Sequence, residues 1–98
     1  MRGREGEPVS ITCPYAKGYE NAYKCFYKGN YKDNVIIIRS DGGESSVIKG
    51  RFSLKDNPQT RSFTVTISNL KMEDAGPYIC RAGYHHYQQI QLNVIRGA

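Results

Sequence analysis

Apolar residues recur at every second position in several stretches of the chain. Val9, Ile11 and Cys13 make one such triplet, Phe63, Val65 and Ile67 a second, and Ile90, Leu92 and Val94 a third, each with polar residues between. Alternation of this period puts one side of an extended strand in a core and the other in water. Between the runs stand Lys17-Gly18, Lys28-Gly29-Asn30, Asp41-Gly42-Gly43 and Asp56-Asn57-Pro58, all of them turn chemistry. The pattern predicts strands near 8–13, 22–28, 34–39, 45–48, 51–55, 62–68, 77–83 and 87–95, with a further one before residue 7. Helical spacing is confined to 69–75, enough for a turn or a short 3-10 stretch. Many short strands with this punctuation argue for an all-β sandwich.

The 98 residues suit a single domain, 1–98, with one core. A core this small usually needs another source of stability, such as a disulfide. Cys13, Cys25 and Cys80 permit one intrachain bridge and leave one thiol over. Cys13 ends an inward-facing triplet, and Tyr78 stands two residues before Cys80, so both belong to one strand face. A bridge between stacked sheets requires that parity, which points to Cys13 with Cys80. Tyr78 then lies in the core and returns its hydroxyl to backbone at the sheet corner, where Gly76 relieves crowding. Asp74 sits close enough to that corner to pair with an arginine of a neighbouring strand, for which Arg51 is the candidate.

Three segments together, Asp74-Ala75-Gly76-Pro77-Tyr78-Ile79-Cys80, Val9-Ser10-Ile11-Thr12-Cys13 and Gly50-Arg51-Phe52-Ser53, resemble a variable-type immunoglobulin domain over nearly the whole chain. The resemblance implies a two-sheet Greek-key sandwich with one inter-sheet disulfide, Cys13 to Cys80, and an ion pair of Arg51 with Asp74. Such domains bury a tryptophan of strand C against the bridge. This chain has no tryptophan, and Phe26 takes the place with less area and no N–H to satisfy. A frame with Cys25 inward would turn Phe26 out and lose a buried aromatic, so Phe26 is read as core. Lys24-Cys25-Phe26-Tyr27-Lys28-Gly29 is similar, more narrowly, to leukocyte receptors related to the polymeric immunoglobulin receptor, the CMRF-like molecules. Their strand C often reads Lys-Tyr-Trp-Cys-Lys-Gly, so Tyr27 here replaces a cysteine that family members use for a second disulfide. Triggering receptors of myeloid cells and fish novel immune-type receptors share much of the remaining pattern.

Seven of the eight tyrosines, Tyr15, Tyr19, Tyr23, Tyr27, Tyr31, Tyr84 and Tyr87, fall in the first loop, strand C with its turn, or the last loop. Tyrosine offers large, rigid contact area with a hydroxyl to spare, which suits binding loops. The implied architecture brings first and last loops to one end, so Tyr15, Lys17, Tyr19, Tyr84, His85, His86 and Tyr87 are expected to form a ligand-binding cluster. A second expected surface is the outward face of strands G, F, C and C′, where Tyr27, Ile79, Arg81 and Gln89 would compose an interface. Cys25 is expected outward on that face as a passive, half-covered thiol, available for an interchain bridge only if exposed.

Formal charge +5 and pI of about 9.2 favour acidic partners, but the basic residues form no run, which argues against nucleic acid. Adjacent His85 and His86 would face opposite ways on a strand, so no metal site is expected, and no cofactor motif or catalytic constellation is present. The opening MRGREGEPVS has no apolar middle, so Met1 reads as a start codon added to an excised domain whose targeting and anchoring segments were removed. The resemblance implies an extracellular ectodomain of a cell-surface membrane protein. Its expected partner is a protein ligand, an immunoglobulin or another surface protein, with acidic phospholipid head groups or weak self-association as alternatives.

Overall fold

A computed structural model describes residues 1–42, 46–84 and 86–97. Along the chain these residues form β1 (Arg2–Arg4), β2 (Val9–Pro14), β3 (Lys24–Gly29), β4 (Asn34–Ser40), β5 (Ser46–Lys49), β6 (Phe52–Asn57), β7 (Ser62–Ile67), a 3-10 turn (Met72–Asp74), β8 (Gly76–Ala82) and β9 (His86–Ile95). One sheet runs β1-β9-β8-β3-β4 and the facing sheet β2-β7-β6-β5. All pairings are antiparallel except β1 on β9, where Arg2 to Arg4 align with Asn93 to Ile95. The stretch before residue 7 thus supplies an edge strand, and 69–75 holds a single 3-10 turn as its spacing predicted. β9, β8, β3 and β4 are strands G, F, C and C′ of the expected sandwich. β5 pairs with β6 rather than β4, and so belongs to the second sheet.

Alternation becomes burial almost position by position. Along β2, Val9, Ile11 and Cys13 are buried while Ser10, Thr12 and Pro14 are exposed. In β7, Phe63, Val65 and Ile67 enter the same core. Between the sheets the Cys13–Cys80 disulfide joins β2 to β8 with the two Cα atoms 6.2 Å apart. Closing a loop of this length removes freedom from the unfolded chain worth on the order of 4 kcal/mol. Phe26 lies fully buried with its ring stacked on Tyr78, centroids 5.0 Å apart. The phenylalanine therefore occupies the tryptophan position.

The corner before β8 is closed by polar contacts. Tyr78 donates its hydroxyl to the Asp74 carbonyl at 2.6 Å. Asp74 accepts from Arg51 Nη1 and Nη2 at 3.0 Å each and from the Lys71 N–H at 2.8 Å. Arg51 Nη1 also reaches the Ser68 and Asn69 carbonyls at 3.1 Å. A planar fork bound on both edges this way is the strong geometry for an arginine–carboxylate pair. Burial pulls the Asp74 carboxyl upward, but Arg51 and the Lys71 N–H outweigh it, leaving the group below its ordinary value.

Candidate functional site

Parity sends Cys25 and Tyr27 of β3, Ile79 and Arg81 of β8, and Tyr87 and Gln89 of β9 to the outer face of the five-stranded sheet. The register sets Tyr27 opposite Ile79 and Ile79 opposite Gln89, while Cys25 and Tyr87 both flank Arg81. The β3–β4 turn then folds over this face. Gly29 adopts φ +122°, where a Cβ would collide with the Asp33 carbonyl. Asn30 Oδ1 accepts the Lys32 and Asp33 N–H groups at 3.0 Å, and Asn34 Nδ2 donates to the Asn30 carbonyl at 2.7 Å. This tight turn carries the Tyr31 ring edge-on to Tyr87, centroids 5.1 Å apart.

The result is a cleft of about 230 Å³. Tyr27, Tyr31, Tyr84 and Tyr87 make its walls together with Asn34, and Ile79 and Arg81 complete the lining. Tyr31, Tyr84 and Tyr87 are 56%, 73% and 50% exposed. Arg81 is fixed in orientation: Nε donates to the Gly83 carbonyl at 3.1 Å, Nη2 to the Tyr84 carbonyl at 2.8 Å, and the guanidinium lies 5.1 Å from the Tyr84 ring centre. Burial raises the Tyr27 phenol above its ordinary value, the neighbouring Cys25 adds to this, and Arg81 opposes it. Aromatic rings around an anchored cation form a surface suited to recognition.

The first loop behaves differently from expectation. Tyr15 is not a binding-loop residue: it is 5% exposed and donates its hydroxyl to Asp56 Oδ1 at 2.7 Å. The cause is Lys24, whose side chain is wholly buried. Its Nζ meets Asp56 Oδ2 at 2.6 Å, donates to the Ala22 and Glu20 carbonyls at 2.8 and 3.1 Å, and lies 4.5 Å from the Tyr15 ring centre. The apolar body of Tyr15 fills the core edge while its hydroxyl completes the shell around the carboxylate. Burial, then Asp56, hold its phenol far above the ordinary value.

The expected loop cluster consequently divides. Tyr19 is partly buried, stacks on His86 at 5.1 Å, and packs against Gly83, which has φ +64° and where a Cβ would crowd the Tyr19 ring at 3.0 Å. Lys17 is exposed on the loop before it. Tyr84 and Tyr87 turn away from that end and join the sheet face. His85 lies outside the described residues. Two sheet-face expectations also change. Ile79 points outward yet is only 5% exposed, so it is a cleft floor rather than a protruding apolar contact. Cys25 is 1% exposed, not half covered, which removes it from reach of another chain. Burial raises its thiol above the ordinary value despite Tyr27, Arg39 and Arg81 pulling the other way.

Lys24 and Asp56 were missed by reading charge as surface. Their parity held the signal: Lys24 stands two residues before inward Phe26, and Asp56 two after buried Leu54. Asn34 was missed, and Tyr31, although counted among the binding-type tyrosines, was assigned to neither candidate surface, because a turn's fold-back has no periodicity. Among the described residues no group of His, Cys, Asp and Glu could hold a metal.

The immunoglobulin V-set domain model matches residues 1–95. CMRF35-like molecule 6 of mouse is 34% identical over 97 residues, 96% of this chain and 41% of that protein. The rabbit polymeric immunoglobulin receptor is 39% identical over 82 residues, 81% of this chain and 11% of that protein. This chain therefore spans less than half the length of these two curated relatives. Among solved structures, the natural killer cell receptor NKp44 superposes with a TM-score of 0.86 at 23% identity, covering 97% of this chain and 95% of that one, a likeness of fold. No helix among the described residues is long and apolar enough to cross a membrane. From strand order, bridge and match alike, the chain belongs to the immunoglobulin V-set domains, a recognition rather than an enzymatic family, and is related to the CMRF35-like molecules and the polymeric immunoglobulin receptor.

Proposed function

We propose that this domain is the ligand-recognition ectodomain of an immune cell-surface receptor, and that it binds a protein ligand through the tyrosine-walled cleft on its outer sheet face. The supporting observation is the convergence of Tyr27, Tyr31, Tyr84 and Tyr87 on one concavity that Arg81 also lines. Rings already held against one another by Tyr31–Tyr87 contact lose little freedom on binding. The name of the polymeric immunoglobulin receptor makes an immunoglobulin one ligand to test.

Tetramers of the biotinylated domain applied to leukocytes, and immobilised immunoglobulins in a biosensor, test the reading. Binding should vanish after protease treatment of the cells and weaken at least tenfold for Tyr84→Ala with Tyr87→Ala. Lys17→Ala, away from the cleft, should leave it unchanged. Protease-resistant staining, or cleft variants that stain like the parent, would overturn the proposal.

Self-association through the same sheet is a second reading, favoured by Val35 and Ile36 at its edge, 65% and 44% exposed. Sedimentation equilibrium of the parent and of Ile36→Lys separates it from binding of a foreign ligand.

A further inference from the structure

The edge of β9 is only half covered. Along its lower half lies β1, with the Met1 amine donating to the Gln91 carbonyl at 3.0 Å, the Asn93 N–H to the Met1 carbonyl at 2.8 Å and the Glu5 N–H to the Ile95 carbonyl at 2.8 Å. The odd-numbered residues of β9 therefore turn their backbone groups away from β8. Pairing of β8 with β9 keeps one register from Leu92 to His86, so the same parity carries up to Gln89 and Tyr87. Their N–H and C=O groups face the open side, and among the described residues nothing pairs with them. Four backbone groups at strand spacing, continuous with an edge that already holds one strand, form a template for another.

A hollow of about 320 Å³ lies on the inner side of this open edge. Pro14, Tyr15 and Ala16, at and after the end of β2, line it together with His86 and Gln88 of β9. Its walls are already held. Gln88 Nε2 donates to the Pro14 carbonyl at 2.7 Å, the Tyr15 hydroxyl is tied to Asp56, and the His86 ring stacks on Tyr19. A strand laid antiparallel on β9 exchanges two bonds with Tyr87 and two with Gln89, and its residue opposite Gln88 points inward beside the Gln88 side chain, towards the hollow. Proline, alanine and a tyrosine ring suit an aliphatic side chain there. β4 and β5 also end their sheets. At β9 the open ladder and the hollow coincide, which adds side-chain selection to backbone pairing.

We infer that the upper edge of β9 takes an extended segment of a protein partner as an added antiparallel strand, with an aliphatic residue seated in the hollow. This edge does not depend on the tyrosine cleft, since backbone makes the ladder and the hollow opens on the other side of the sheet.

Amide hydrogen exchange and proton–nitrogen correlation NMR of the domain with the blocked peptide acetyl-Thr-Thr-Ile-Thr-Thr-amide test it. In the free domain the Tyr87 and Gln89 amides should exchange faster than those of Gln88 and Ile90, which pair with β8. Peptide in about tenfold excess over a Kd on the order of 1 mM should slow both about tenfold. N-methylation of the two threonines that flank the isoleucine should abolish binding, and alanine in place of the isoleucine should weaken it severalfold. Gln89→Pro removes an N–H that faces solvent, which a strand edge tolerates, and should weaken the peptide at least tenfold with the fold retained. Ala16→Arg, at an exposed position, should obstruct the hollow and weaken the isoleucine peptide severalfold. Tyr84→Ala, in the cleft, should bind it like the parent. Slow exchange of Tyr87 and Gln89 in the free domain, no binding of the peptide, equal binding of its N-methylated form, or shifts confined to the cleft or to β2 would each overturn the assignment.

Discussion

Replacing Lys24 by methionine keeps most of the side-chain volume and deletes a charge from a fully buried site. The lysine side chain is 0% and that of Asp56 2% exposed. The amine makes contacts to Asp56 and to the carbonyls of Glu20 and Ala22. Without it, the carboxylate remains in the core with the Tyr15 hydroxyl as its one side-chain donor among the described residues, and the two carbonyls lose a donor. Removing one partner of a buried ion pair costs about 3–5 kcal/mol. That is a large part of the roughly 5–15 kcal/mol that holds a domain folded. At about 4 °C or more per kcal/mol for a domain of this size, Tm should fall by at least about 12 °C. Urea unfolding followed by circular dichroism, which needs no tryptophan, measures the change. The double variant Lys24→Met with Asp56→Leu should recover part of the loss, because an apolar pair of similar volume replaces an orphaned charge. A single substitution costing under about 1 kcal/mol would refute the reasoning, since it would mean that water reaches the amine.

Three further outcomes follow from the same geometry. The folded Asp74 carboxyl lies below its ordinary value, so the stability it contributes is complete above the unfolded aspartate value of about 3.9 and is lost as pH falls through the folded one. Urea midpoints measured from pH 6 down to pH 2 should show a steeper acid limb for the parent than for Asp74→Asn. Tyr78, pushed up to about 12 by burial and by the charge of Asp74, works in the opposite sense: stability should decline as pH rises from about 10 towards 12, more so than in Tyr78→Phe. Cys25 should stay inert to a thiol reagent at pH 8 in the native protein, react fully in urea, and yield no covalent dimer on a non-reducing gel.

Local alternation dictated most of the framework. Strands with period-two patterning at Val9 to Cys13, Phe63 to Ile67 and Ile90 to Val94 could bury an apolar set on one face only, so the sandwich and the bridging parity of Cys13 and Cys80 were legible in the chain. Phe26 in the tryptophan position and Tyr78 at the corner belong to the same layer, set by parity along β3 and β8, whereas the Arg51–Asp74 pair joins the residue before β6 to the 3-10 turn and was legible through the family resemblance. What escaped was decided by contacts between segments far apart in sequence. Lys24 reads as one more solvated lysine until Asp56, from the other sheet, and the first-loop carbonyls surround it. Once they do, Tyr15 is drawn from a loop into the core.

The cleft has the same origin. Tyr31 reaches Tyr87 only because the turn after β3 folds back across the sheet, and Arg81 is aimed by carbonyls two and three residues ahead of it. The sequence by itself determined which residues face inward, since side-chain direction along a strand alternates whatever the strand packs on. Which outward residues meet, and with what charge between them, was left to the tertiary structure, because loop paths depend on backbone hydrogen bonds and packing that carry no periodic signal.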